Sequence, residues 1–236
     1  MNVYEPQSIT ELLSHNAYPG RGILLGTTAD GLHSVIAYFI MGRSANSRNR
    51  VFEETSDGIR TRAHDPSKLE DPSLIIYHPV RQVGKDIIVT NGDQTDTIQS
   101  ALLEGGCFEG ALSTREFEPD APNFTPRISG IVYPNGNYTM SILKSADALG
   151  SACSRQFFVY PSIHGVGHFL HTYHCDGQPL PTFIGEPKRV WVEHNLDLLA
   201  DSIWNSLNLE NKISLYVSFY NIKTGEIKSK IINKHE

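Results

Sequence analysis

Apolar and polar positions change their period several times along the chain, and each change marks an element. Gly22 to Thr27 and Ser34 to Met41 are apolar, β-branched runs on either side of the turn signal Asp30-Gly31, and they predict a β-hairpin at least partly buried on both faces. Leu74 to Val83 and Asp86 to Thr90 flank Gly84-Lys85, which suits a type II′ turn. Arg127 to Tyr133 and Tyr138 to Leu143 flank Asn135-Gly136, the signal of a type I′ turn. Arg155 to Tyr160 and Gly167 to Tyr173 predict two further strands. Lys212 to Ile222 sets Ile213, Leu215, Val217 and Phe219 against Ser214, Tyr216, Ser218 and Tyr220, and a Lys-Thr-Gly-Glu turn leads into Glu226 to Ile232. Helices are fewer. A capping box from Ser8 to Glu11 starts a short one through Ser14. Asp93 to Leu103 reads helical and stops at Gly105-Gly106. Leu196, Leu199, Ala200, Ile203, Trp204 and Leu207 fall on one face of a third.

Many hairpins and few helices predict an α+β fold with antiparallel sheets rather than a doubly wound parallel one. No composition shift marks a linker in the 236 residues, so the expectation is a single domain over 1–236.

Charge narrows the function. With 20 Lys+Arg against 26 Asp+Glu, the net charge of -6 argues against nucleic acid or an anionic membrane as partner, because both need a broad basic surface. One small anion pocket is still allowed. Every basic residue before Lys68 is an arginine, and Arg43, Arg48 and Arg50 stand in a stretch without an acid. The longest run free of Asp, Glu, Lys and Arg, Gln156 to Cys175, holds Pro161 and four histidines and does not read as a membrane span. Residues 1–15 carry Glu5 and Glu11, no Lys or Arg, and no apolar run, so no signal peptide is expected. Three cysteines without a CxxC fit free thiols in a reducing compartment, and a cytoplasmic soluble protein is expected.

There is no Walker A loop, no GxGxxG after a strand, no HExxH and no GxSxG. Gly105 to Gly110 is glycine-rich but follows a helix, so it reads as a C-cap and turn. His164, His168, His171 and His174 invite a zinc reading. On a strand, however, His171 would face away from the other three, and the cluster reads as structural histidines or a pocket wall, with no metal expected.

Three polar clusters at strand ends remain. Gly42 to Arg50 offers arginine forks that match phosphate or carboxylate oxygens, with Ser44, Asn46 and Asn49 as neutral donors. Thr90 to Asp96 joins a strand to a helix N-terminus and either receives an anion or carbonyl or is merely capped by Asp93 or Thr95. Glu116 to Arg127 combines carboxylates with prolines that stiffen the segment. It reads as a rigid loop for a general base or a ribose contact, or as a spacer.

Together, Tyr18-Pro19-Gly20-Arg21-Gly22, Gly42-Arg43-Ser44 with Asn49-Arg50, Thr90-Asn91-Gly92, and Glu118-Pro119-Asp120 through Asn123 and Thr125-Pro126-Arg127-Ile128 resemble, in order, the archaeal-type IMP cyclohydrolase family. The likeness covers roughly residues 18–133, and Gly165 to Phe169 with Pro181 to Phe183 is similar to bacterial IMP cyclohydrolase-like relatives. The resemblance implies a four-layer αββα sandwich similar to N-terminal-nucleophile hydrolases, although Met1-Asn2 supplies no N-terminal nucleophile. It implies closure of the purine ring of 5-formamidoimidazole-4-carboxamide ribonucleotide (FAICAR) to IMP without a cofactor. It also implies roles. Part of the Arg43, Arg48, Arg50 cluster would take the phosphate, and Arg21 or Arg127 the formyl oxyanion. Glu118 would transfer the proton, with Asp120 as alternative or ribose ligand. Asn91, Gly92, Asp93, Asn123 and Thr125 would contact base or ribose, and Tyr38 would be a pocket acid or a core tyrosine. The rival readings are a purine-nucleotide binder without turnover and a different amide hydrolase on the same fold. The alternating final hairpin offers an edge for a homo-oligomer.

Overall fold

A computed structural model describes residue 2, residues 4–69, residue 72 and residues 74–235. Two antiparallel sheets form its centre. The first contains β1 (Arg21–Thr27), β2 (His33–Met41), β10 (Val166–His171), β11 (Lys188–Trp191), β12 (Lys212–Asn221) and β13 (Ile227–Asn233), in the order β11-β10-β1-β2-β12-β13. The second runs in chain order through β3 (Arg50–Thr55), β4 (Gly58–Ala63), β5 (Val80–Val83), β6 (Asp86–Thr90), β7 (Arg127–Val132), β8 (Tyr138–Ser145) and β9 (Cys153–Tyr160).

Strand alternation sorts the apolar side chains into three cores. Ile23, Leu25, Ile36 and Tyr38 of the first sheet meet Val89, Ile128, Met140 and Ile142 of the second between the sheets. The opposite face of the first sheet, including Leu24, Val35 and Leu215, packs on α1 (Ile9–Ser14) and α5 (Leu196–Ser206). The outer face of the second, including Ile88, Ile131 and Leu143, packs on α3 (Gln94–Leu103) and α4 (Phe108–Ser113). The layers are therefore helix, sheet, sheet, helix, as the family resemblance implied. The Ser8 half of the capping box is formed, with Ser8 Oγ accepting from Glu11 N, and Asn195 Oδ1 caps α5 by accepting from Leu198 N at 3.0 Å.

Several local expectations need correction. The strand expected from Leu74 shortens to β5, because Thr61 captures the backbone of the preceding residues. Thr61 Oγ1 donates to Ile75 O at 2.7 Å and accepts from Tyr77 N at 2.9 Å. The Asn135-Gly136 turn is not type I′. Asn135 stays out of the left-handed region while Gly136 has φ 85°, and Gly136 N donates to Tyr133 O at 2.9 Å. Pro134, fixed near the φ of a type I turn, produces a three-residue loop closed by a glycine bulge. The glycine-rich stretch after α3 does more than stop a helix, since it leads straight into α4, where Cys107 Sγ accepts from Gly110 N at 3.4 Å. The β3–β4 hairpin, β11 and a single helical turn α2 (Ala45–Arg48) inside the arginine stretch were not expected.

His168 and His171 lie on opposite faces of β10. His168 is hydrogen-bonded to the Tyr138 hydroxyl at 2.7 Å between the sheets, whereas His171 stacks on Phe169 toward α1. Burial pushes each ring from the ordinary 6.5 down to about 4; Arg189 adds to this at His168, and Lys188 and His174 at His171. The unfolded chain then binds more protons between about pH 4 and 6.5. The stability held by these neutral rings is full above that window and lost as pH falls through it. The urea midpoint is expected to drop from pH 7 to pH 4.5, and less steeply in His168→Phe. A midpoint that stays level would contradict the assignment.

Candidate functional site

Antiparallel pairing gathers the polar clusters at one end of the sandwich. Arg21 pairs with Ile40 and Gly22 with His171, so the start of β1, the segment after β2 and the segment after β10 converge. Gly20, at φ 78°, lets the chain lie against Thr172 and Tyr173, where any β-carbon would collide with both side chains. Arg21 N donates to Thr172 Oγ1 at 3.1 Å, and Tyr173 N to Pro19 O at 3.2 Å. From the second sheet, Arg50 opens β3 and the 118–125 loop precedes β7. That loop is closed by Glu118 N donating to Thr125 O at 2.8 Å.

These segments enclose a cavity of about 320 Å³, whose lining includes Arg21, Arg43, Arg50, Glu118 and Asp120. Three arginines thus face two carboxylates. Glu118 is 2% exposed and lies 3.5 Å from Arg21 Nη2. Burial raises its carboxyl above the ordinary range, against the pull of Arg21, Arg127 and Arg50. Arg50 is 1% exposed; its Nε donates to Ser47 O at 2.8 Å, but its Nη1 has no partner, and neither has Arg21 Nε. Burial, with Arg21 nearby, lowers the proton affinity of Arg50. Two buried guanidinium groups with open N–H donors are costly to keep unless something anionic comes to meet them.

Arg43 is a partly exposed member of the lining. Its Nη1 donates to Asp176 Oδ1 at 2.7 Å and to Gly177 O at 3.0 Å, and its guanidinium lies 5.1 Å from the centre of the Tyr18 ring. Asp176 is exposed and competes with any incoming anion for Arg43. Asp176→Asn is therefore expected to tighten nucleotide binding roughly threefold to tenfold at low salt, with a smaller gain at high salt. Calorimetry with IMP checks this, and unchanged or weaker binding would refute it.

Of the other residues singled out in the sequence, Ser44, Asn46, Asn123 and Thr125 line the cavity. Ser44 also caps α2, and Asn123 Oδ1 accepts from Leu180 N at 3.0 Å. Thr125 Oγ1 bonds to Asp120 and, at 2.6 Å, to the Tyr173 hydroxyl, so part of Asp120 is spent on holding its own loop. Seven residues are not brought to the cavity. Arg48 donates to Gly42 O and Asn211 Oδ1, and Asn49 braces Asp65. The buried Asn91 amide donates to Pro126 O and accepts from Ile128 N and Gln94 Nε2. Gly92 gives Arg127 room, and Arg127 Nη1 meets Gln94 Oε1 at 2.8 Å and Asp93 at 2.6 Å. Asp93 does not cap α3 with its side chain, because Arg127 and Arg115 hold the carboxylate. Tyr38 is fully buried and hydrogen-bonded at 2.8 Å to Tyr77, close enough to Arg21 and Arg50 to feel their charge. Among the described residues, no three His, Cys, Asp or Glu converge as a metal site would.

A family profile described as "IMP cyclohydrolase-like protein" matches residues 18–225. The chain belongs to this family. Among its relatives, the IMP cyclohydrolase of Methanococcus aeolicus is 27% identical over 162 residues, covering 67% of this chain and 75% of the relative. That of Methanosphaera stadtmanae is 28% identical over 130 residues, covering 53% and 63%. That of Methanopyrus kandleri is 32% identical over 116 residues, covering 48% and 57%. The family match runs past the arginine and Glu118 clusters to the segment carrying Tyr173 and Leu180, two lining residues not singled out in the sequence. Tyr18, also missed, stood in the Tyr18-Pro19-Gly20-Arg21 motif. Its ring stacks on Tyr173 at 5.8 Å, a contact that depends on the β1–β10 pairing.

Proposed function

We propose that this protein of the IMP cyclohydrolase-like family closes the purine ring of FAICAR, giving IMP and water. The observation that supports it is the pairing, in one cavity, of open buried guanidinium donors with a buried carboxyl of raised proton affinity. The volume, about 320 Å³, is in the range of small-molecule sites.

In the reaction the carboxamide nitrogen bonds to the formyl carbon and gives up one proton, the formamido nitrogen gives up its own as the new C=N bond forms, and the formyl oxygen leaves with both as water. An amide nitrogen is a weak nucleophile, so holding both groups in attacking geometry is the first task. Arg50 and Arg43 take the 5′-phosphate. Arg21 Nε faces the developing oxyanion in preference to Arg127, whose Nη1 is engaged by Gln94 and Asp93. Glu118 takes the nitrogen proton and delivers it toward the leaving oxygen. Tyr38, kept protonated by burial, supports the arginines from behind the lining. A nucleotide binder without turnover would need no such carboxyl.

The test is direct: purified protein incubated with FAICAR should form IMP well above a protein-free blank. Formation at the blank rate would end this reading. No helix among the described residues is long and apolar enough to cross a membrane.

A further inference from the structure

A second cavity, about 570 Å³, shares no lining residue with the first. It lies on the outer face of the first sheet. There α5 packs on β12 and β13, and α1, only six residues long, leaves β10 and β11 short of a helical cover.

His171 and Lys188 are among the polar groups that line it. His171 is 8% exposed, and its Nδ1 lies 2.8 Å from Tyr173 O. A carbonyl can only accept, so Nδ1 carries the proton and Nε2 presents a lone pair. Among the described residues nothing donates to that nitrogen. Lys188 is half-buried, and among the described residues no acceptor or carboxylate meets its ammonium. The lining also holds three aromatic side chains, beside polar residues that include His15, Asn16 and His174. Phe169 stacks on His171 at 5.0 Å, Phe183 stands edge-on at 4.7 Å, and Trp191 lies exposed at the rim. Glu11, the one acid of the lining, is exposed and screened by solvent.

We propose that this cavity is a second small-molecule site, for a planar heteroaromatic carboxylate with an N–H donor on its ring. The lone pair of His171 opens into the cavity with no protein donor among the described residues, and so calls for a donor on the ligand. The ring stays neutral at pH 7, so it cannot serve an anion in place of Lys188. Lys188 calls for the carboxylate. The aromatic wall calls for a flat ring between the two.

Calorimetry with three probes tests this, whatever reaction the first cavity performs. Orotate carries both features, uracil lacks the carboxylate, and benzoate lacks the ring N–H. Orotate is expected to bind saturably, and uracil and benzoate about tenfold more weakly or worse, the loss of one charge-assisted or buried hydrogen bond. Lys188→Met should weaken orotate about tenfold, and His171→Phe should remove the advantage of orotate over benzoate. If His171→Phe does not fold, Lys188→Met with the three probes decides. Arg50→Met, in the other cavity, should leave orotate binding unchanged. No saturation up to about 10 mM, equal binding of the three probes, or loss of orotate binding in Arg50→Met would overturn the proposal.

Discussion

Replacing Arg50 by methionine is expected to stabilise the ligand-free protein and to weaken nucleotide binding, two effects of opposite sign from one side chain. The guanidinium is 1% exposed, Nη1 has no partner, and Arg21 lies close enough to repel it. A buried charge with no carboxylate in contact costs several kcal/mol relative to an apolar group of similar volume. Methionine removes that cost and loses only the Nε bond to Ser47 O. The gain should be on the order of 1–3 kcal/mol, read as a higher melting temperature without ligand. The same change removes charge-assisted bonds to the phosphate, worth about 1.5–3 kcal/mol, so IMP should bind roughly 10- to 100-fold more weakly. A variant that melts lower and binds IMP as before would place the phosphate elsewhere and leave Arg50 as an ordinary structural residue.

Glu118→Gln should lower kcat by roughly two to four orders of magnitude while KM moves little. Glutamine keeps the shape and an acceptor for Arg21 but cannot carry the proton. A wild-type melting temperature within a few degrees would separate lost chemistry from lost fold. The pH profile adds a second reading. Burial raises the carboxyl's proton affinity, so the base ionises at higher pH than an exposed glutamate. Turnover should therefore rise with pH through a limb displaced upward from that of an exposed glutamate, and this limb should vanish in the variant. Full turnover in Glu118→Gln would remove it from the proton transfer.

How much of this was legible in the sequence depends on how local each feature is. Hairpins with strong turn signals and the α5 stripe were readable because their period is set by nearest neighbours. Asn135-Gly136 misled because one further residue, Pro134, outweighed the pair. At the site, residue type was a good guide and orientation was not. Arg48 and Arg50 are two positions apart, and an extended chain would send them the same way. The turn α2 instead directs Arg48 to Gly42 and Asn211 and leaves Arg50 to the cavity. Asn91 has the composition of a ligand contact, yet three of its own neighbours consume the amide. Tyr173 and Leu180 had no local signal, since they reach the cavity through pairing between distant strands.

That distance has a kinetic side. Arg21 meets Glu118 across 97 positions of chain, Arg43 meets Asp176 across 133, and Arg21 meets Thr172 across 151. The β1–β2 and β7–β8 hairpins close short loops, whereas the cavity closes only when these long loops do. Long loops carry the larger entropic cost, and non-local contacts form slowly. During refolding, far-ultraviolet dichroism should return ahead of catalysis, and the last phase to appear should be the one that restores turnover.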